Sequence, residues 1–435
     1  MKKFTRILSI FLTLVLSMTM LFACGGGEKP GDNPDEKTKY TLTVWGSQED
    51  QAMLKEMCNE YAKANPQNEY KFLFGVQGEG DAADKVLNDV TAGPDVFSFA
   101  SDQINKLIAG GALARIGGEN ERLVKELNVA GSVDAATVTI NGEDQLYAYP
   151  STGDNCIFVY YDKRVYTDPA QLASLDAMLD TANAAGKKVH FKLNDDGWYL
   201  SAFFFTNPNL KYEVTYNENM VEQTVAINFD DPAGLEVMKS LEAYLQHEAL
   251  VATTDDSKLL AAFTEYDGKI EAAAGISGTW NAKAIKDLLG EHMGVIKLPT
   301  ALISGQQVQL SGFMGYKLVG VNGFSQNKAE AHKLALWLTN EQNQLKRFEV
   351  RGFGPTNKVV SANEAVLNDP VLAAVLDQSQ YMRPQKSVPG NYWTPMGSLI
   401  TPIINAKTDP EVEGGRLTVE KLQELLVACC NSIRK

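Results

Sequence analysis

The chain has 435 residues, 44% of them apolar, which is enough to bury a sizeable core without disulfide staples. Its formal charge is −14, and removal of a leader carrying Lys2, Lys3 and Arg6 takes it to −17. Such acidity excludes nucleic acid as a partner and excludes electrostatic attraction to anionic membranes.

The first predicted element is a leader over residues 1–23. A basic start precedes an apolar run from Ile7 to Ala23 that is short for a bilayer span and ends on a small residue. LFAC (Leu21 to Cys24) resembles a bacterial lipobox, which implies lipidation of Cys24 and attachment to the membrane through that anchor. The Gly/Pro/charge-rich stretch 24–39 has no apolar periodicity and reads as a tether.

From residue 40 strands and helices alternate, which predicts an α/β fold of mostly parallel sheets covered on both faces. Strands are expected at 40–45, 70–76, 95–99, 146–149, 156–161, 188–193, 270–276 and 314–321. Ser47 and Asp50 start a helix whose apolar face is Leu54, Met57, Tyr61 and Ala62, ending before Pro66. Asp231-Pro232 opens another, with Leu235, Met238, Leu241 and Leu245 on one face. A last helix begins near Thr418 and runs to Ile433.

Four of the five tryptophans fall at element boundaries. Trp45 ends the first strand in YTLTVWGSQED, just before Ser47, Glu49 and Asp50. Trp198 and Tyr199 follow NDDG, Trp280 follows GISGT, and GNYWTP carries Tyr392 and Trp393. The junction GPDVFSFASDQ places Phe99 and Asp102 likewise. Ligands of open α/β sheets bind outside the carboxyl ends of strands. Aromatic walls with a few placed acids suit a sugar, whose C–H faces stack on rings while its hydroxyls seek acceptors.

Other chemistries have less support. His190, His247, His292 and His332 show no metal-ligand spacing, and no cofactor is expected. GEGDAA (Gly78 to Ala83) follows the second strand and lacks a third glycine, so it is weak as a dinucleotide loop. Cys58, Cys156, Cys429 and Cys430 have no framework spacing, and Cys429 and Cys430, inside an apolar helical pattern, read as buried small hydrophobes. Two carboxyls at a suitable separation would make a secreted glycoside hydrolase, which stays open as an alternative.

The segments TVWGSQEDQ, AGPDVFSFASDQINKLIAGGALARI, LYAYPSTGDNCIFVYYDKRVY, AAFTEYDGKIEAAAGISGTWNAKAI and RGFGPTNK occur in this order. Together they resemble the extracellular solute-binding proteins of ABC importers, in the maltose/maltodextrin-binding group. The resemblance implies a two-lobe, periplasmic-binding-protein-like fold with crossing hinge strands and a cleft between the lobes. It implies a first lobe of 40–150 plus 305–352 and a second of 153–298 plus 353–435, with crossings near 150–153, 299–311 and 351–355. Trp198, Tyr199, Trp280, Tyr392 and Trp393 would be the second lobe's aromatic site. Ser47, Glu49, Asp50, Phe99 and Asp102 would be the first lobe's contribution, with Asp154 or Asn155 beside the hinge. Phe99 stands where that group commonly has tryptophan, and Gln103 where arginine is known. The implied partners are a maltooligosaccharide or related α-glucan and the importer's permease, with the protein a monomer and no bond broken. A different oligosaccharide on the same fold is the other alternative.

Overall fold

The computed structural model describes residues 37–435. The expected leader, the lipidation at Cys24 and the tether up to residue 36 lie outside the described residues.

The chain begins with β1 (Thr38–Gly46), where alternation turns Leu42 and Val44 inward. Helix α1 (Gln51–Ala64) buries Met53, Leu54, Met57, Cys58 and Tyr61, a stripe at helical spacing that covers one face of the sheet. β2 (Asn68–Val76) and β3 (Val96–Ala100) pair with β1 in parallel on its two sides. After the short helix α2 (Ile104–Ala109), the chain reaches β4 (Tyr149–Asn155), the first segment to leave this lobe.

The second lobe is built on β5 (Phe158–Asp162), β6 (Lys188–Phe191), β9 (Leu250–Ala252), β10 (Ala272–Ser277) and β11 (Met293–Ile296), in the order β9-β6-β10-β5-β11. Helix α3 (Gly197–Phe204) and the hairpin of β7 (Tyr212–Tyr216) with β8 (Glu222–Ile227) fall between β6 and β9. Neighbouring strand residues face opposite sides, so Ile157 and Val159 enter one apolar cluster while Phe158 and Tyr160 enter another. The sheet is thereby covered on both faces.

The chain then returns through β12 (Phe313–Val321), which lies inside the first sheet with β3 on one side and β4 on the other. That sheet reads β2-β1-β3-β12-β4. The pairings of β12 with β3 and with β4 are antiparallel, and β5 is antiparallel to β10 and β11. Both sheets are therefore mixed and not mostly parallel, because strands arriving from the other lobe enter in the opposite direction. Helices α4 (Lys328–Leu338) and α5 (Glu341–Arg351) close the first lobe. Gly352, at φ +70, supplies the left-handed residue that ends α5. Helices α6 (Pro370–Ser379), α7 (Trp393–Ser398) and α8 (Val419–Ile433) belong to the second lobe's clusters.

The expected strand at 146–149 lies later, at 149–155, and two lobe boundaries move as well. Leu310 and Phe313 pack in the second lobe's core, so the stretch from 305 belongs there until β12 begins. Thr356 bonds Asn128 and the Gln344 amide oxygen, and its own carbonyl accepts from Val129, so the chain stays on the first lobe past residue 355. At the hinge the Gly153 amide donates to the Gly354 carbonyl at 2.9 Å. Asp154 returns the tie by accepting from the Gly354 amide at 2.8 Å.

Candidate functional site

A cavity of about 550 Å³ lies between the lobes. Its first-lobe wall comes from the loop after β2 (Glu79, Gly80), the end of β3 (Ala100, Asp102, Gln103) and Lys317 on β12. Lys317 sits between Ala100 and Thr152 in the register, which aims it at the strand ends. Asn155 lines the hinge side, while Lys192, Asp196, Trp198, Tyr199, Asp256, Trp280, Gln385 and Trp393 are among the residues lining the other wall.

Local chemistry sets each aromatic. Asp196 caps α3, accepting from the Trp198 and Tyr199 amides at 2.9 and 3.1 Å, and this fixes both rings at the helix start. Trp280 folds back over Gly278, where a Cβ would collide with the indole, so the missing side chain is the seat of the ring. Its Nε1 donates to Asp256 at 3.1 Å, and the Tyr199 hydroxyl donates to the same carboxylate at 3.2 Å. Trp198 and Trp280 lie 5.8 Å apart, centroid to centroid. Trp198 Nε1 is buried with no hydrogen-bond partner among the described residues, an open donor in an aromatic wall.

Polar groups line the same cavity. Asp102 accepts from the Gln385 amide at 2.9 Å, and Gln385 accepts from Asn155 at 2.9 Å. Burial pushes the Asp102 carboxyl up to about 7, with Lys106 and the Gln385 bond opposing the shift. Lys192 pairs with Asp196 at 2.9 Å; burial opposes its charge, but Asp196 and Asp256 hold its pKa above the usual lysine value. Gln103 is buried. Its amide donates to the carbonyls of Glu79 and Gly80 and accepts from Ala83, which makes it the brace of the 79–83 loop.

Six of the twelve expected ligand residues line the cavity: Asp102, Asn155, Trp198, Tyr199, Trp280 and Trp393. The others lie elsewhere. Asp50 is buried in an ion pair with Arg351 at 2.9 Å, beside the buried Arg347. Glu49 is exposed, and the Ser47 carbonyl accepts from the Asp50 amide as a turn closure. Phe99 is fully buried in the first-lobe cluster, on the side of β3 turned from the cavity. Asp154 is fully buried on the Gly354 amide. Tyr392 is fully buried against Phe313 and Phe229, with its hydroxyl 2.7 Å from Ser201. Trp45 packs across Gly75 in the first-lobe core, and Trp337 donates to the Met57 carbonyl there.

Sequence reasoning missed Glu79, Lys192, Asp196, Asp256, Lys317 and Gln385. Lys192 and Asp196 had a usable signal, since both follow the end of β6 at an i, i+4 spacing next to Trp198. The stretch GEGDAA, weak as a nucleotide loop, is a wall of the cavity instead.

Two lobes joined by crossing strands, with an aromatic-walled cavity between them, define a ligand-capturing protein. Residues 56–374 match the family described as bacterial extracellular solute-binding protein, and the chain belongs to that family. It is 26% identical over 424 residues to the galactooligosaccharide-binding protein of Bacillus subtilis (strain 168), covering 94% of this chain and 95% of that one. The maltotriose-binding protein of Pyrococcus abyssi (strain GE5 / Orsay) is 22% identical over 391 residues, covering 88% and 81%. A solved structure determined with acarbose shares 32% identity at a TM-score of 0.77, covering 91% of this chain and 98% of that one.

Proposed function

We propose that the chain is the oligosaccharide-capturing component of an ABC importer, taking maltooligosaccharides or related α-glucans by lobe closure. The observation that carries this is one cavity in which three tryptophans and Tyr199 stand together with Asp102, Asn155 and Gln385. Indole faces bury sugar C–H surface, and the carboxylate and amide oxygens accept hydroxyl protons. A ligand touching both lobes binds the closed form better than the open one and shifts the population toward it. No bond in the sugar is broken. The names of the Bacillus and Pyrococcus relatives support an oligosaccharide as cargo.

Cys24 anchors the mature chain in this reading, and residues after it tether the lobes beside the permease that receives the sugar. Among the described residues no helix is long and apolar enough to cross a membrane. Titration of tryptophan fluorescence with a panel of maltooligosaccharides, galactooligosaccharides and β-linked glucans tests the cargo. Saturable quenching or enhancement by the α-glucans is expected. No response across the panel refutes the reading, as does turnover of the sugar into shorter products on long incubation.

A further inference from the structure

The segment Arg383–Ser387 follows α6 and lies on both lobes. Residues 383–384 add a short parallel rung to the start of β12, and the Gln385 amide donates to the Met314 carbonyl at 3.0 Å. On the second-lobe side, the Arg383 guanidinium donates to the carbonyls of Leu210 and Asn207 and stands 4.3 Å over the Phe205 ring. On the first-lobe side, Lys386 donates to the Asp134 carbonyl at 2.8 Å and Asn105 donates to the Ser387 hydroxyl at 3.3 Å. Gln385 is the middle of this strap, and it is 5% exposed.

The Gln385 side chain has a fixed direction. Gln385 presents its NH₂ group to Asp102 and its carbonyl to Asn155, and above a pH of about 7, where Asp102 is ionised and only accepts, no other orientation keeps both bonds. Asn155 must then donate to Gln385, which leaves its own carbonyl oxygen for other donors. The chain of bonds therefore runs from the first lobe through the strap to the hinge, and all three residues line the cavity. The seat is cut to fit: a Cβ at Gly315 would collide with Gln385 Oε1 and crowd Asn155 Nδ2 at 2.9 Å.

We propose that Gln385 is the positioning residue of the cleft. Its amide holds Asp102 and Asn155 in one hydrogen-bond chain of fixed polarity, so that the floor offers acceptors to sugar hydroxyls when the lobes are together. The proposal rests on the oligosaccharide reading above for its ligand and on the chain of bonds for its mechanism. A glutamine here does at every pH what neither a hydrophobe nor an ionised acid can, since it donates to one neighbour while accepting from the next. Gln385→Glu removes the donor and sets a second carboxyl against Asp102. Two carboxyls in contact share one proton, so the bond returns as pH falls and is lost as pH rises. Lys106, Asp84 and Tyr212 stand near Asp102, Arg383 precedes the glutamine in the strap, and Glu79 and Lys317 face the pair from the cavity wall. All are present in every variant, and Asp102 itself titrates near 7 in the wild type, so the measured quantity is the difference between the two pH profiles.

The test is calorimetric titration with maltotriose from pH 5 to pH 8, alongside ligand-free thermal melting over the same range. Gln385→Ala is expected to weaken binding about tenfold, and Gly315→Ala to do likewise by displacing the amide without removing it. For Gln385→Glu, the affinity gap from wild type is expected to be about tenfold or more at pH 8. It should close to within about threefold at pH 5, and the gap in melting temperature should narrow in parallel. A gap that does not change with pH, or variants that bind as wild type does, overturns the proposal. Failure of the wild type to bind any oligosaccharide overturns the ligand reading instead, and the ligand-free melting profile then decides the bond chain by itself.

Discussion

Trp280→Ala separates ligand stacking from folding. The indole is half-buried and rests over Gly278, and its one polar bond goes to Asp256, which keeps the Tyr199 hydroxyl when the ring is removed. No buried acceptor is orphaned, so the fold should lose little. A sugar ring covering one face of the indole hides roughly 90 Å² of the about 200 Å² such a side chain offers. At about 25 cal/mol per Å² that is about 2.2 kcal/mol, or about 40-fold in affinity. Calorimetric titration of the variant with maltotriose measures it, with circular dichroism as the check on folding. A loss under about threefold in a folded variant would show that the ring does not touch the sugar and refute the assignment.

Asp102 makes stability depend on pH. Its folded pKa, about 7, is raised from 3.8 by burial, so its stabilising contribution is complete below about pH 4 and is lost as pH rises through 7. Asp102→Asn should therefore match wild type near pH 4 and exceed it at pH 8. The full shift corresponds to about 4 kcal/mol, and partial exposure of the carboxyl cuts this to about 2 kcal/mol in thermal or urea melts. Tyr392→Phe removes the bond to Ser201, which still donates to the Gly197 carbonyl. It should cost about 1 kcal/mol in urea unfolding and leave sugar affinity within about twofold, whereas a large affinity loss would restore Tyr392 to the site. Asp50→Ala leaves Arg351 and the buried Arg347 without their carboxylate and should cost about 3 kcal/mol of stability, measured by urea unfolding.

What was legible in the chain follows from how local each signal is. β1, α1, β12 and the last helix were readable because their apolar period is complete within the segment. Trp198, Trp280 and Trp393 were readable as a set of large rings at element boundaries; Trp45 shares that position but packs against the first-lobe core, so the pattern marks the region and not each ring. Phe99 and Tyr392 misled through adjacency. A residue next to the cavity in sequence faces the core when strand alternation or the turn of a helix start points it there, as with Phe99 before Ala100 and Tyr392 before Trp393. Asp50 misled because its partners Arg347 and Arg351 lie some 300 residues away in sequence. Lys317 and Gln385 had no local signature at all. Each is a polar residue whose place depends on which strand the chain inserts between which others, and that is known only once the lobes are assembled.

The position of β12 also has a consequence for how the protein comes to be folded. The first lobe's sheet has a gap between β3 and β4 that only residues 313–321 can fill, and the helices that cover it end at residue 351. During synthesis the amino-terminal third therefore emerges unable to close its own sheet, with strand edges open until most of the second lobe has been made. Long-range pairings of this kind slow the search for the native state. The lobe that starts first must wait for residues 313–351 before it can close, so the end that leads the chain out of the ribosome stays open while most of the other lobe is being made.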